Sequence, residues 1–224
     1  MRVLAIDTAL GACAAAVLDT ERDILAQQSR AMIRGHAENL MPLLSALMEE
    51  AKTAFDDLDR IAVTIGPGSF TGLRVGLSAA RAIGLAAGKP VIGLSTLAAY
   101  AAPQVADDDT ISVLAAIDAR HDQVYVQMFG PGGRTTLSPR IVRIDEAVRA
   151  AGAAAVRLTG SAAGLLAQAW SGPPPLSVDA RAAPEIDWVA RLGAAAIESQ
   201  SPPRPLYMRA PDAQPQDAAQ LPRR

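Results

Sequence analysis

The segment Gly66-Pro-Gly-Ser-Phe-Thr-Gly-Leu-Arg-Val-Gly76 decides the fold, because it joins a strand pattern to a helix pattern through a glycine-rich turn. The residues before it, Asp59 to Ile65, are mainly apolar and typical of a strand, and a helix is expected from Ser69 or Thr71 to Ala87. Small residues recur at every fourth position of the segment and of the helix after it, so they share one helix face. Each internal glycine costs about 0.8–1 kcal/mol relative to alanine, which predicts a close contact with another helix or a sheet on that face.

The same turn has a second interpretation, as a phosphate-binding loop. Backbone N–H groups at the positive end of a helix can bind a phosphate. The segment lacks the Gly-Lys-Ser/Thr ending of a Walker A loop, and its third glycine falls one place late for a Rossmann fingerprint. Both interpretations stay open, and the candidate residues for nucleotide binding are Asp7, Gly66, Gly68, Ser69 and Thr71.

The chain before the turn reads as a β-meander followed by a helix. Three short apolar or alternating runs predict consecutive strands at Val3 to Asp7, Cys13 to Leu18 and Asp23 to Gln27. From His36 the apolar residues follow a period near 3.6, which predicts an amphipathic helix. Pro42 is expected to kink this helix or to mark its true start. After the turn helix, a strand from Pro90 to Leu94 and a helix from Ser95 to Ala102 complete the first half.

The second half repeats this order of elements. Its first apolar strand, Ile111 to Asp118, ends in an aspartate as the run from Val3 to Asp7 does. Strands and helices then alternate to about residue 198, which indicates two related lobes of an α/β fold, each a mixed sheet covered by helices. The expected boundaries are an N-terminal lobe at 1–103, a C-terminal lobe at 104–209 and a proline-rich mobile tail at 210–224.

Composition excludes several classes of function. The 224 residues include one cysteine and two histidines, so an internal disulfide and a Cys/His zinc site are not expected. No apolar run reaches the roughly 18 residues of a membrane helix, and a cytoplasmic location is expected. A net charge of −2 argues against autonomous binding of nucleic acid, so any RNA contact has to be local or shared. The basic series in the second half, which is a solvated face or an RNA contact, comprises Arg134, Arg140, Arg143 and Arg149.

Aspartates end the first strand of each half. A carboxylate at that position can bind a metal that bridges phosphates, or it can cap a turn. Asp118 and Arg120 follow a strand that is expected to be buried, so we expect their side chains to interact with each other or with the adjoining loop and to fix the hairpin. Whether the pair itself is buried or exposed stays open. No histidine or lysine is placed by the sequence to activate Ser69 or Thr71, so neither a nucleophilic hydrolase nor a metallopeptidase is supported. No catalytic residue and no metal ligand is assigned.

The two helices of the first half carry complementary faces. The earlier one has more large aliphatic residues than one side of a small sheet requires, and the later one has the small-residue face. We expect the two helices to pack together and to present one continuous surface to a partner or to a second copy. The residues expected at that interface are His36, Leu40, Leu43, Leu44, Leu47, Met48, Gly72, Gly76 and Ala80.

Several segments resemble a known family. They are Met1 to Ala9, His36 to Pro42, Gly66 to Gly76, Val91 to Thr96, Val113 to Arg120 with Val124-Tyr125, and Pro205 to Arg209. In this order they are similar to the bacterial TsaB (YeaZ) family, subunits of tRNA threonylcarbamoyladenosine biosynthesis. The resemblance implies a two-lobed actin-like, Hsp70-like fold, in agreement with the repeated order of elements.

The resemblance also implies a role. It implies a non-catalytic platform that binds and activates the catalytic subunit TsaD, joined by the ATPase TsaE, in modifying adenosine 37 of tRNAs that read codons beginning with A. ATP and a metal are then expected on the partner subunits and not on this chain. The chain is expected to reach tRNA only through the complex, and to form a homodimer when the partner is absent. The histidine motif of the catalytic relative is replaced here by Ser95-Thr-Leu-Ala-Ala-Tyr100. The alternative is a free-standing ATPase or small-molecule kinase of the same fold.

Overall fold

The computed structural model describes residues 1–152, 155–199 and 201–209. The predicted tail at 210–224 lies outside the described residues. The elements of the first half are β1 (Arg2–Asp7), β2 (Ala12–Asp19), β3 (Asp23–Ala31), α1 (His36–Glu50), β4 (Arg60–Gly66), α2 (Phe70–Ala87), β5 (Val91–Ser95) and α3 (Thr96–Asp107). Those of the second half are β6 (Ser112–Asp118), β7 (Gln123–Phe129), β8 (Thr135–Arg143), α4 (Ile144–Ala151), β9 (Val156–Thr159), α5 (Ala163–Gln168), β10 (Ser177–Asp179) and α6 (Ile186–Ala195).

The strands form two sheets with the same internal order. The first sheet runs β3-β2-β1-β4-β5, and the second runs β8-β7-β6-β9-β10. In each sheet the three meander strands are antiparallel, while the last two strands are parallel to the first strand of the meander. The predicted α/β fold of two related lobes, each a mixed sheet covered by helices, is confirmed.

Alternation along β1 places helices on both faces of the first sheet. Leu4 and Ile6 point to one face and pack with the buried stripe of α1 and with α2. Val3 and Ala5 point to the other face and pack with α6. The helix α1 begins at His36 and continues through Pro42, so the proline neither starts nor ends it.

The lobe boundary differs from the prediction. Helix α3 packs on the second sheet, where Leu97 and Tyr100 share a core with Val113, although most of it was assigned to the first lobe. Helix α6 returns to the first sheet, and a Cβ at Gly193 would collide with the Cβ of Ala62. The predicted division at 103/104 therefore falls inside a helix, because α3 and α6 cover the inner faces of the two sheets and contact each other.

No helix of the described residues is both long enough and apolar enough to cross a bilayer. This agrees with the absence of an 18-residue apolar run in the sequence.

Candidate functional site

A cavity of about 380 Å³ lies between the two lobes. Three segments surround it: the turn before α2, the loop after β6, and the C-terminal residues 206–209. Of the predicted nucleotide-binding residues, Gly68, Ser69 and Thr71 line the cavity, and Asp7 and Gly66 do not. The structure thus brings the glycine-rich turn beside Asp118 and Arg120, a proximity that the sequence did not predict.

Asp7 is enclosed at the end of β1. Its Oδ1 accepts hydrogen bonds from the Thr64 hydroxyl, at 2.5 Å, and from the backbone N–H of Ala9, at 3.1 Å. Its Oδ2 has no hydrogen-bond partner among the described residues. Burial raises the pKa of the Asp7 carboxyl, and the two hydrogen bonds only partly oppose that rise. Burial therefore opposes ionisation of this carboxyl, whose described hydrogen bonds all go to one oxygen.

The glycine-rich turn is packed tightly against the segment after β1. The N–H of Ser69 donates to the carbonyl of Ala9 at 2.7 Å, and a Cβ at Gly68 would collide with the same carbonyl. A Cβ at Gly72 would collide with the carbonyl of Thr8, whose hydroxyl donates to the Gly72 carbonyl at 2.7 Å. The predicted close contact of the small-residue face is therefore confirmed, and it is made with the first strand and its exit.

Two-lobed ATPases bind a metal and a phosphate at this position, and the residues of this chain can be compared with that site. Asp7 is enclosed, and the Ser69 N–H already binds a carbonyl of the chain. Within the described residues, no three side chains of His, Cys, Asp or Glu are grouped so that they can hold a metal. The residues do not fit a metal-bridged nucleotide at this position.

Residues 201–209 form an extended segment, here called the C-terminal strap, that connects the lobes. The backbone N–H of Leu206 donates to the carbonyl of Ile65 in the first lobe at 2.7 Å. In the second lobe, the guanidinium of Arg209 donates to the carbonyl of Ala119 at 2.8 Å and to Oε1 of Gln123 at 3.1 Å. Sequence reasoning missed this role, and its only signal was the family resemblance of Pro205 to Arg209.

The strap also contacts the start of α2. The Nε of Arg74 donates to the hydroxyl of Tyr207 at 3.1 Å, and its guanidinium lies 3.8 Å from the centre of the Phe70 ring. The rings of Phe70 and Tyr207 are 5.0 Å apart. This cluster covers the outer side of the cavity.

The loop after β6 agrees with its prediction. The carboxylate of Asp118 accepts the backbone N–H of Arg120 at 2.7 Å, which confirms the predicted interaction with the adjoining loop. The strand before them is buried as expected, and both Asp118 and Arg120 are exposed, which decides between the two settings left open. The backbone of Arg120, His121 and Asp122 is left-handed, and the turn carries these side chains outward to solvent.

The residues predicted for the partner interface are buried inside the first lobe. The aliphatic stripe of α1 packs on the sheet face that carries Ile6 and Val63, and Ala80 is fully buried with it. His36 is buried with a ring nitrogen 3.2 Å from the carbonyl of Leu10. As a correction, none of these predicted residues is presented on the surface: His36, Leu40, Leu43, Leu44, Leu47, Met48, Gly72, Gly76 and Ala80. The sheet has enough apolar area to cover the whole stripe.

The outer face of the helix pair carries different residues. Helices α1 and α2 contact each other, as predicted. On the exposed side, α1 presents Met41, which is 53% exposed, and Ser45, while α2 presents Ser78 and Ala82. This helix-pair face consists of small or apolar side chains at its centre, so another backbone can approach it closely.

Comparisons with known proteins agree with this architecture. A family model described as "TsaD: tRNA N6-adenosine threonylcarbamoyltransferase" matches residues 23–166. The tRNA threonylcarbamoyladenosine biosynthesis protein TsaB of Escherichia coli K12 is 37% identical over 125 residues, which cover 56% of this chain and 53% of that protein. The tRNA N6-adenosine threonylcarbamoyltransferase of Erythrobacter litoralis is 40% identical over 114 residues, covering 44% and 33%.

A solved structure extends the match to nearly the full length. YeaZ from Pseudomonas aeruginosa superposes with a TM-score of 0.79 at 28% identity, over 92% of this chain and 99% of that one. In sequence, the chain spans about half the length of the E. coli TsaB and a third of the Erythrobacter transferase. Because the family model covers more than half of the chain and both TsaB and YeaZ match it, the chain belongs to the TsaB (YeaZ) family, within the larger group that the TsaD model describes.

Proposed function

We propose that this chain serves the biosynthesis of threonylcarbamoyladenosine in tRNA as a non-catalytic platform that binds and activates the catalytic subunit TsaD. The observation that carries the proposal is the helix-pair face with Met41, Ser45, Ser78 and Ala82 at its surface. Small side chains at the centre of an exposed two-helix surface are suited to a helix–helix contact with another protein.

The length of the helices supports a contact of this kind. Helix α2 has 18 residues and α1 has 15, so they are about 27 and 22 Å long. Each helix is about 10 Å wide with its side chains, and the pair together offers several hundred square ångströms. A standard interface buries about 800 Å² on each partner, so the helix-pair face and its borders approach that size.

The geometry of the cleft supports the non-catalytic part of the proposal. Asp7 is enclosed in the first lobe, and the turn that precedes α2 is bound to the carbonyl of Ala9. ATP and a metal are accordingly assigned to the partner subunits. On this proposal the ATPase TsaE joins the same assembly, and the complex works in the cytoplasm. When TsaD is absent, the chain forms a homodimer through the helix-pair face.

The test is the substitution Ala82→Arg, which places a charged side chain at the centre of the helix-pair face. TsaD from the same genome is the probe, with affinity measured by calorimetry and threonylcarbamoyl transfer to tRNA measured in the reconstituted complex. We expect at least a tenfold loss of affinity and a matching loss of transfer. Ala150→Arg on α4 is the matched control, because Ala150 is also an exposed alanine of a helix. Unchanged binding of TsaD by a folded Ala82→Arg variant would contradict the proposal.

The alternative function has one observation in its favour, the volume of the cavity, although the residues around it do not fit a metal-bridged nucleotide. A space of about 380 Å³ bordered by the hydroxyls of Ser69 and Thr71 has room for a small ligand. A free-standing ATPase or small-molecule kinase predicts turnover by the chain alone, above about 1 per second, the low end for enzymes. Isothermal titration with ATP and magnesium, followed by a hydrolysis assay without partners, separates the two candidates.

A further inference from the structure

A surface groove of about 650 Å³ lies between the C-terminal half of α2 and the C-terminal strap. Arg81, Lys89 and Arg204 line it, and Arg74 lies on the same side of α2, two turns nearer its start. We propose that this strap groove binds the sugar-phosphate backbone of tRNA directly. The inference rests on the proposed function and adds to it a contact between this chain and the RNA.

The first observation is a local excess of positive charge. Among the described residues, none of Arg74, Arg81, Lys89 and Arg204 forms an ion pair with a carboxylate. The sequence of α2 contains no Asp or Glu, and neither does the strap. Of the described residues that line the groove, Glu198 alone carries a carboxylate. In a chain whose net charge is −2, this is a concentrated cationic strip.

The second observation is that two of the guanidinium groups are held in place by neutral oxygens. Arg74 donates to the hydroxyl of Tyr207 through Nε, and Arg81 donates to the carbonyl of Pro203 through Nη2. Each therefore keeps further N–H groups of its fork for another acceptor. Planar, oriented guanidinium groups match phosphate oxygens, and the fixed geometry reduces the entropy lost on binding.

The spacing of these groups suits a nucleic-acid strand. Seven residues separate Arg74 from Arg81, so their backbones are about 10 Å apart along the helix. A strand rises about 3.4 Å per nucleotide along a duplex axis, so this distance corresponds to about three nucleotides. The side chain of Tyr207, which is 43% exposed, lies beside Arg74, where an aromatic ring can stack with an unpaired base. An acidic peptide has no base to stack on this ring, which favours RNA as the occupant.

The groove lies on the side of α2 that is turned away from α1. At 100° per residue, Arg74 and Arg81 lie on one border of the exposed face of α2, whereas Val75 and Ala79 lie on the other and pack with the core shared with α1. A partner that covers the helix-pair face therefore leaves the strap groove at its edge, open to solvent. Protein and RNA can be bound at the same time by adjoining surfaces.

The experiment measures binding of an unmodified tRNA transcript by fluorescence anisotropy, for the chain alone and with saturating TsaD. The test variant is Lys89→Gln with Arg204→Gln, because neither side chain makes a hydrogen bond or ion pair in the described structure. The control variant, Arg22→Gln with Arg30→Gln, removes the same charge from exposed residues near and on β3. We expect the test variant to weaken binding at least tenfold and to lower the salt slope by about 1.5–2, whereas the control changes affinity less than threefold.

Other outcomes have defined meanings. Equal losses in both double variants would overturn the proposal, because they would reflect net charge alone, and unchanged binding in the test variant would also overturn it. Competition by poly-glutamate as effective as by tRNA would identify an acidic protein as the occupant instead. Binding of TsaD is measured in parallel: loss of TsaD affinity by the test variant would assign the groove to the protein interface. Failure of the unmodified chain to bind TsaD would reject the proposed function, while the tRNA measurement would still decide on the groove.

Discussion

The hydroxyl of Thr64 and the carboxyl of Asp7 are joined by a hydrogen bond of 2.5 Å at the ends of two adjacent parallel strands. The register of β1 and β4 pairs Ile6 with Val63, so the next residue of each strand lies at the same level of the sheet. The bond lies on the side of the sheet that α3 and α6 cover, away from solvent. A side chain that reads as a candidate metal ligand in the sequence is thus part of the packed interior.

The first prediction concerns the pH dependence of stability. The pKa of Asp7 is raised in the folded chain, chiefly by burial, so the native state binds more protons than the unfolded state between about pH 3.9 and the folded pKa. The stability that the Asp7 carboxyl contributes is fully present below about pH 3.9, and it is lost as the pH rises through the pKa of the folded chain. We expect Asp7→Asn, which cannot ionise, to gain stability relative to the unmodified chain as pH rises from 4 to 7. Urea unfolding at three pH values measures this, and a difference that does not vary with pH would contradict it.

The second prediction concerns the glycine face of α2. A Cβ at Gly72 would collide with the carbonyl of Thr8, so Gly72→Ala is expected to lower the free energy of unfolding by about 1–3 kcal/mol. Gly164→Ala on α5 is the control, because its Cβ would lie 3.8 Å from the nearest atom, the Cβ of Ala180. That control is expected to be neutral or to stabilise by about 0.5–1 kcal/mol. Chemical denaturation compares the two, and equal effects would reject the close-contact interpretation.

The third prediction separates the core from the surface of the same helix. Ala80 is buried and Ala82 is exposed, so Ala80→Leu overpacks the core and Ala82→Leu does not. We expect Ala80→Leu to lose about 1–3 kcal/mol of stability and Ala82→Leu to stay within about 0.5 kcal/mol of the original. Thermal unfolding followed by circular dichroism tests this. A stable Ala80→Leu variant with weakened self-association would restore the original interface assignment.

The fourth prediction concerns the loop after β6. The exposed carboxylate of Asp118 accepts one backbone hydrogen bond, from Arg120, so its removal exposes a donor that water can satisfy. We expect Asp118→Ala to lower stability by about 1 kcal/mol at most, instead of the 3–5 kcal/mol typical of a broken buried pair. Differential scanning calorimetry provides the measurement. A loss above 3 kcal/mol would mean that the carboxylate is buried in solution.

The fifth prediction concerns the C-terminal strap. Leu206→Pro removes the N–H that donates to Ile65, a bond whose net contribution is about 1 kcal/mol. Transient release of the strap should then become about fivefold more frequent, and trypsin cleavage after Arg209, which is followed by an alanine in the sequence, faster by the same factor. Met208→Pro serves as the control, because Met208 donates no backbone hydrogen bond among the described residues. Equal cleavage rates in the two variants would show that the Leu206 bond does not hold the strap.

The sequence by itself determined the class of fold and most element positions, because hydrophobic periodicity and turn residues act locally. The period near 3.6 from His36 predicts a helix that begins at that residue, and the strand predicted from Val3 to Asp7 is observed at Arg2–Asp7. The glycine-rich turn between β4 and α2 was located by its own residues. The repetition of the order of elements predicted two equivalent sheets.

Only the tertiary structure decided which element packs against each buried helix or sheet face. An apolar stripe such as that of Leu40 to Met48 indicates that one side of a helix is buried, but its pattern is the same whether a sheet of the same chain or another protein covers it. Here the sheet of the same chain covers the whole stripe. The surface that stays available to a partner is the opposite side of the helices, with Met41 and Ala82. The same holds for three other features: the return of α6 to the first sheet, the enclosure of Asp7 and the path of the strap between the lobes. Each depends on contacts between residues distant in the chain, and such contacts arise only when the lobes are assembled.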